Sequence, residues 1–191
     1  MTPPNIMKVM KQLSGFSDEQ IDEWASQTKK ITYKTDEYFS TPHNPSKSLA
    51  IVEKGLFRFY VFDVKGIEAT LGFTGEGMFM SSYSAIILNQ IQPVYIQALE
   101  NSEIYAMSRS DFLNKWWEAD IRWKNILQTI TEYDCLQVRK RELGFLLYDA
   151  QMRYNIFTEE FAQYADRIKL KYIASYLGIS PETLSRIRRK N

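Results

Sequence analysis

The stretch "LKYIASYLGISPETLSRI", from Leu170 to Ile187, restricts the fold of this chain more than any other. Ile173, Leu177, Ile179, Leu184 and Ile187 are apolar, with the small residues Ala174 and Gly178 between them. Two helices that cross at a steep angle need this arrangement. Ala174 lets the second helix approach the first, and Gly178 takes the positive φ of a tight turn. Ser180 is a good N-cap, and Pro181 suits the first helical position, where its missing N–H costs nothing. The second helix then turns Glu182, Thr183, Ser185, Arg186 and Arg189 outward. A plain helical hairpin with a basic surface and a helix-turn-helix built for a DNA major groove share this pattern.

Charge separates the two. Over all 191 residues the formal net charge is only +1, so the whole-chain value points to no polyanionic partner. From Arg167 to Asn191, however, seven basic residues face one acid, Glu182, which gives a local +6 and leaves −5 for the rest. A basic tail on a mildly acidic body is the mark of a polyanion-binding module. Small residues, cap and charge agree on a DNA-binding helix-turn-helix.

Upstream, the hydrophobic period changes twice. Asn5 to Thr28 reads as two short helices broken by "SGFSDEQ", with Ser17 as the N-cap of the second. From Ile31 to Met107, short β-type runs such as "SLAIVEKGLFRFYVFD" and "IEATLGFTGEG" alternate with turn signals, and "DVKG" ending at Gly66 reads as a hairpin turn. This pattern predicts a small antiparallel barrel or roll. After Ser110 the period is helical, with neither Gly nor Pro until Gly144, which predicts a helix from about Glu118 to Leu147. Trp123, Ile126, Leu127, Ile130 and Tyr133 form its apolar face. Part of that face can rest on the roll, and a second copy of the helix is the simplest cover for the remainder, with packing inside one chain as the alternative. Asp149 reads as the N-cap of a further helix, with a hinge near Tyr148. The expected domains are 1–110 (roll with N-terminal helices), 111–148 (long dimerisation helix) and 149–191 (helix-turn-helix).

Cys135 is the only cysteine and His43 the only histidine. An intrachain disulfide is therefore excluded, and a closed zinc site has too few nitrogen and sulfur ligands. A cupin-like metal enzyme on the same roll needs about three His or carboxylate ligands, and no catalytic arrangement of side chains can be drawn. Neither metal, cofactor nor enzymatic activity is expected. The N-terminus lacks the apolar core of a signal peptide and no apolar run approaches a membrane span, so a cytoplasmic protein with no membrane partner is expected.

In this order, "VEKGLFRFY", "DVKGIEATLGFTGEG", "IQALENSEIYAMSRSDF" and "IASYLGISPETLSRIRRK" resemble the Crp/Fnr family of bacterial transcription regulators over nearly the whole length. The resemblance implies an α+β fold: an antiparallel β-roll like a cyclic-nucleotide-binding domain, a long dimerisation helix and a winged-helix-like C-terminus. It implies a homodimer on double-stranded DNA with a pseudo-palindromic site. RNA polymerase and an unidentified small-molecule effector are the further partners it leaves open. It puts Glu182 and Arg186 at the base-reading positions with Ser185 alongside, and Ser180, Thr183, Arg188, Arg189 and Lys190 on phosphates.

Two departures qualify this picture. Cyclic-nucleotide binders of the family carry a phosphate cassette with an acid and an arginine. Here the stretch from Gly77 to Leu99 contains no Lys, Arg, Asp or Glu, and the arginine position falls near Gln92. A buried cyclic phosphate without a cation is left uncompensated, so cyclic-nucleotide binding is expected to be lost. A residual pocket would be lined by Phe79, Met80, Ser81, Ser82, Tyr83, Gln92 and Tyr95. The family also places a small β-wing after the reading helix, and with the sequence stopping at Asn191 a truncated wing is expected, with Arg188, Arg189 and Lys190 partly substituting. A sensor whose DNA binding requires an effector, and an interaction module whose basic tail touches no DNA, fit the same residues.

Overall fold

Glycine and proline punctuate the first turns of the fold. Helix α1 (Pro4–Ser14) starts on a proline and stops at Gly15 in the left-handed region, at φ 64°. Helix α2 (Asp18–Ser26) opens on Ser17 through a capping box with Gln20. The computed structural model describes residues 2–81, 83–90 and 93–190, with the backbone alone for Tyr83, Ser84 and Lys190.

Among the described residues eight strands and a short helix follow: β1 (Lys29–Tyr33), β2 (Tyr38–Ser40), β3 (Ser48–Lys54), β4 (Phe57–Phe62), β5 (Glu68–Thr74), β6 (Phe79–Met80), α3 (Tyr83–Ile86), β7 (Tyr95–Ala98) and β8 (Ser102–Ser108). They form two sheets, ordered β1-β8-β3-β6 and β2-β7-β4-β5. Then come α4 (Arg109–Phe112), a π-helical turn at Leu113–Trp117, α5 (Ile121–Leu147), α6 (Ala150–Glu160), a 3-10 turn at Ala165–Arg167, α7 (Leu170–Leu177) and α8 (Pro181–Lys190). Among the described residues no helix is long and apolar enough to cross a membrane.

The chain divides into two compact units, Met1–Phe59 with Phe73–Tyr133, and Tyr60–Gly72 with Asp134–Asn191. In the first, β3 explains why its sequence is apolar without alternation: both of its faces are buried. Ala50 and Val52 face the roll interior with Phe57, Met80, Ile96, Ala98, Ile104 and Ala106. Leu49 and Ile51 face the other way, onto Ile6 and Met10 of α1, Ile21 and Trp24 of α2, and Trp123. Register carries this through the sheet, since β3 pairs Ala50 with Ala106 and Val52 with Ile104. A slip of one residue would exchange the two cores.

Helix α5 runs for 27 residues, close to the sequence expectation. It begins at Ile121 rather than Glu118, because the Asp120 carboxylate accepts from the Arg122 N–H at 2.9 Å and starts the helix there. Much of its expected apolar face, however, is already covered. Trp123, Ile126 and Leu127 are buried in the core of the first unit, where the Trp123 ring lies 5.1 Å from Phe16 and 5.6 Å from Trp24. Ile130 packs against the same core, and Tyr133 is exposed. For Trp123, Ile126 and Leu127 the expected subunit interface is corrected accordingly, because their side chains are buried within the chain. The N-terminal helices, whose apolar residues the sequence reading left unplaced, supply the cover assigned to a second copy.

Trp123→Ala should therefore destabilise the single chain itself, by about 3–5 kcal/mol. Urea unfolding at low protein concentration measures it. A loss below about 1 kcal/mol would put Trp123 outside the core.

Candidate nucleic-acid interface

The second unit is built on aromatic rings. Phe157 of α6, Phe161 and Tyr176 of α7 lie within 5.0 to 5.6 Å of one another, ring centre to ring centre. Around them Ile168, Tyr172, Ile173, Leu177, Leu184 and Ile187 are buried. Asp149 caps α6, its carboxylate accepting from the Met152 N–H at 2.8 Å, and marks the break after α5.

The end of α7 fixes where α8 goes, and every carbonyl of its last turn has a partner. Gly178 is left-handed at φ 65°, as the sequence pattern requires. Its N–H donates to Ser175 O at 3.2 Å and the Ile179 N–H donates to Ala174 O at 3.0 Å, which is a Schellman motif. Tyr176 O accepts from Arg141 Nε and Nη2 at 3.2 and 3.1 Å, and Leu177 O accepts from Arg153 Nε at 3.2 Å. Both guanidinium groups also lie over the Phe145 ring, at 5.3 and 5.2 Å. Cations at a helix C-terminus oppose the macrodipole, worth about 0.3–1 kcal/mol each on a surface and up to about 2 when partly buried. Burial pulls the pKa of Arg141 below the ordinary arginine value, partly offset by Tyr176. The group keeps its charge, because arginine starts so far above neutrality.

Gly178 is constrained twice. A Cβ there would meet Phe145 Cε1 at 2.7 Å. The ring cannot retreat cheaply, because the Arg141 and Arg153 guanidinium groups lie against it.

From this turn α8 starts as the sequence indicates. Ser180 Oγ accepts from the Thr183 N–H at 3.2 Å, and Pro181 is the first helical residue. Leu184 and Ile187 face the core. At 100° per residue, Glu182, Arg186 and Arg189 fall on the opposite side and Ser185 beside them. Glu182, Arg186, Arg188 and Arg189 are exposed, while Thr183 and Ser185 are half-buried. Arg186 Nη2 donates to Thr183 Oγ1 at 3.1 Å, which lies 3.2 Å from Ser180 Oγ. Hydrogen bonding to Ser180 holds the Glu182 carboxyl below the ordinary glutamate pKa. The side chain of Lys190 lies outside the described residues.

Among the described residues, Phe79 and Met80 of the expected effector pocket do not converge. Met80 is buried in the roll interior, whereas Phe79, its neighbour on the same strand, packs against the helical core. Successive strand residues point to opposite faces, so these two cannot line one cavity. Ser81 is half-buried, and Tyr95 stacks edge-on to Tyr38 at 6.1 Å. Ser82 and Gln92, and the side chain of Tyr83, lie outside the described residues.

The family model for the cyclic nucleotide-binding domain matches residues 30–116. No curated protein sequence matches the chain. Among solved structures, FixK2 from Bradyrhizobium japonicum superposes with a TM-score of 0.76 at 19% identity, over 85% of this chain and 83% of that one. The c-di-GMP responsive global regulator CLP of Xanthomonas campestris superposes with a TM-score of 0.74 at 16% identity, over 91% of each chain. The fold is that of the Crp/Fnr regulators. A transcriptional regulator of that family from Eubacterium rectale aligns with a TM-score of 0.71 at 16% identity, over 92% of this chain and 83% of that one. Within the Crp/Fnr fold, Arg141, Phe145, Arg153 and Ser175 are the side chains sequence reasoning missed. Their one signal was Gly178, a position at which something large had to come close.

Gly178→Ala should cost about 2–4 kcal/mol, combining the left-handed backbone with the ring clash. Asparagine tolerates the left-handed region, so Gly178→Asn separates the causes. Thermal unfolding should find both variants similarly destabilised. A nearly neutral Gly178→Asn would mean that backbone conformation alone selects the glycine.

Proposed function

We propose that this chain is a sequence-specific DNA-binding transcription regulator, working as a homodimer, whose roll has lost cyclic-nucleotide binding. The observation that carries this reading is the outward face of α8. It offers Glu182, Arg186 and Arg189 free of the core, on a helix capped by Ser180 that follows a Schellman turn. In a major groove Arg186 can donate twice to guanine O6 and N7, and Glu182 can accept from a cytosine amino group. Ser180, Thr183, Arg188 and Arg189 suit phosphates, which fix register without specifying sequence. Lys190 is assigned to phosphate from the sequence alone. The regulators of the same fold support the reading, as does the local +6 at the C-terminus.

The homodimer rests on a different stripe of α5 from the one first expected. Leu136, Leu143 and Leu147 are 59%, 43% and 67% exposed and recur at helical spacing on one side. A second α5 is the cover that fits a helix of this length.

Loss of cyclic-nucleotide binding is supported by the stretch from Gly77 to Leu99, which has no Lys, Arg, Asp or Glu, and by Met80, Ile96 and Ala98 of that stretch packing into an apolar cluster of the roll. Arg58 of β4 is buried, but it alternates with Phe57 and Phe59, which pack toward that interior. The interior therefore offers a cyclic phosphate no arginine from this strand. Calorimetric titration with cyclic AMP and cyclic GMP should give no saturable heat, and a micromolar dissociation constant for either would contradict this.

Arg186→Ala should weaken binding to a preferred site by about 1–3 kcal/mol and relax preference at one base pair. Arg189→Ala should weaken preferred and random DNA alike and flatten the salt dependence. Binding titrations at several salt concentrations measure both. If Arg186→Ala lowers affinity for both DNAs equally, α8 is not the reader.

A further inference from the structure

The hairpin between β4 and β5 belongs to the second unit, although its strands continue from the first. Its turn is set by Asp63, whose carboxylate accepts from the N–H groups of Lys65 and Ile67 at 2.8 and 2.9 Å. Strand β5 is last in the sheet order and has a free edge, which a protein must cover or pair. Here α7 and α5 cover it. Ser175 Oγ accepts from the Thr70 N–H at 2.9 Å and donates to Glu68 O at 3.0 Å. Arg141 Nη2 donates to Thr70 O at 3.0 Å, and the same nitrogen donates to Tyr176 O at 3.1 Å. One hydroxyl and one guanidinium thus do for β5 what a neighbouring strand would do, and both also touch the helix that ends at Gly178.

This joint involves none of the residues assigned to DNA. It leaves the outward face of α8 exposed, so it does not mask the reading surface. What it constrains is α7, and through the capped Gly178 turn the direction of α8. We infer that the hairpin Tyr60–Gly72 is a positioning arm for the helix-turn-helix, fixed to it by Ser175 and Arg141, and that opening this joint weakens DNA binding without removing a DNA contact. The inference rests on the DNA-binding reading above. Its cause is preorganisation: a helix free to swing must be ordered when it binds, and that ordering is subtracted from affinity.

The test uses the full chain with Ser175→Ala, Arg141→Gln and the rescue variant Ser175→Thr, which restores the hydroxyl. Amide hydrogen exchange reads the joint at Thr70, and a salt series on a selected DNA site reads binding. Ser175→Ala and Arg141→Gln should speed exchange at Thr70 and weaken site binding about tenfold, with the salt slope unchanged because the phosphate contacts are intact. Ser175→Thr should return both readouts toward wild type. Faster exchange with wild-type affinity would overturn the positioning role, and unchanged exchange would overturn the joint itself. A wild-type chain that binds no DNA would sink the regulator reading and this inference together. Wild-type binding with an unaffected Ser175→Ala would sink this inference alone.

Discussion

The approach of Gly178 to Phe145 is the constraint on which the second unit depends. A glycine is required there for its backbone and for its missing Cβ, which would lie 2.7 Å from the ring. The ring in turn gives two guanidinium groups a surface to lie on while they take the last carbonyls of α7. Turn, ring and arginines therefore stand or fall together. An unsatisfied buried carbonyl costs about 1–3 kcal/mol, so removing either arginine would be felt at the helix end well before any DNA was met. The consequence is that α8 has a defined starting point and direction.

In the first unit the organising constraint is β3, buried on both faces. One face closes the roll and the other seats α1, α2 and the start of α5. The same arrangement gathers Ala50, Val52, Phe57 and Met80 in one apolar cluster inside the roll. It also uses up much of the first apolar stretch of α5, while Leu136, Leu143 and Leu147 farther along stay exposed.

Local signals in the sequence carried most of the fold. Ser17, Asp149 and Ser180 each cap the helix expected of them, and Gly66 and Gly178 turn where the pattern requires. These are contacts between residues a few positions apart, which a sequence exposes directly. What escaped were long-range partners. Trp123 reads as a helix-face residue, and only the fold reveals that Phe16 and Trp24 reach it. Phe79 and Met80 read as one apolar pair until strand alternation separates them. Arg141 and Ser175 look like ordinary surface residues of two helices, because the edge of β5 that they satisfy lies some 70 and 105 positions away. On the candidate interface, the outward face of α8 was legible because helical periodicity defines it, and the joint that aims it was not.

The central claim is that two copies of α8 read DNA from a scaffold whose turn is fixed at Gly178. Selection of bound sequences from a random duplex pool by the full chain addresses it most directly. The expected result is a pseudo-palindrome with half-sites about 34 Å apart and a conserved guanine in each, a spacing borrowed from established helix-turn-helix dimers that include a member of this fold's family. Enrichment of no motif, or of a single half-site without its mirror image, would contradict it.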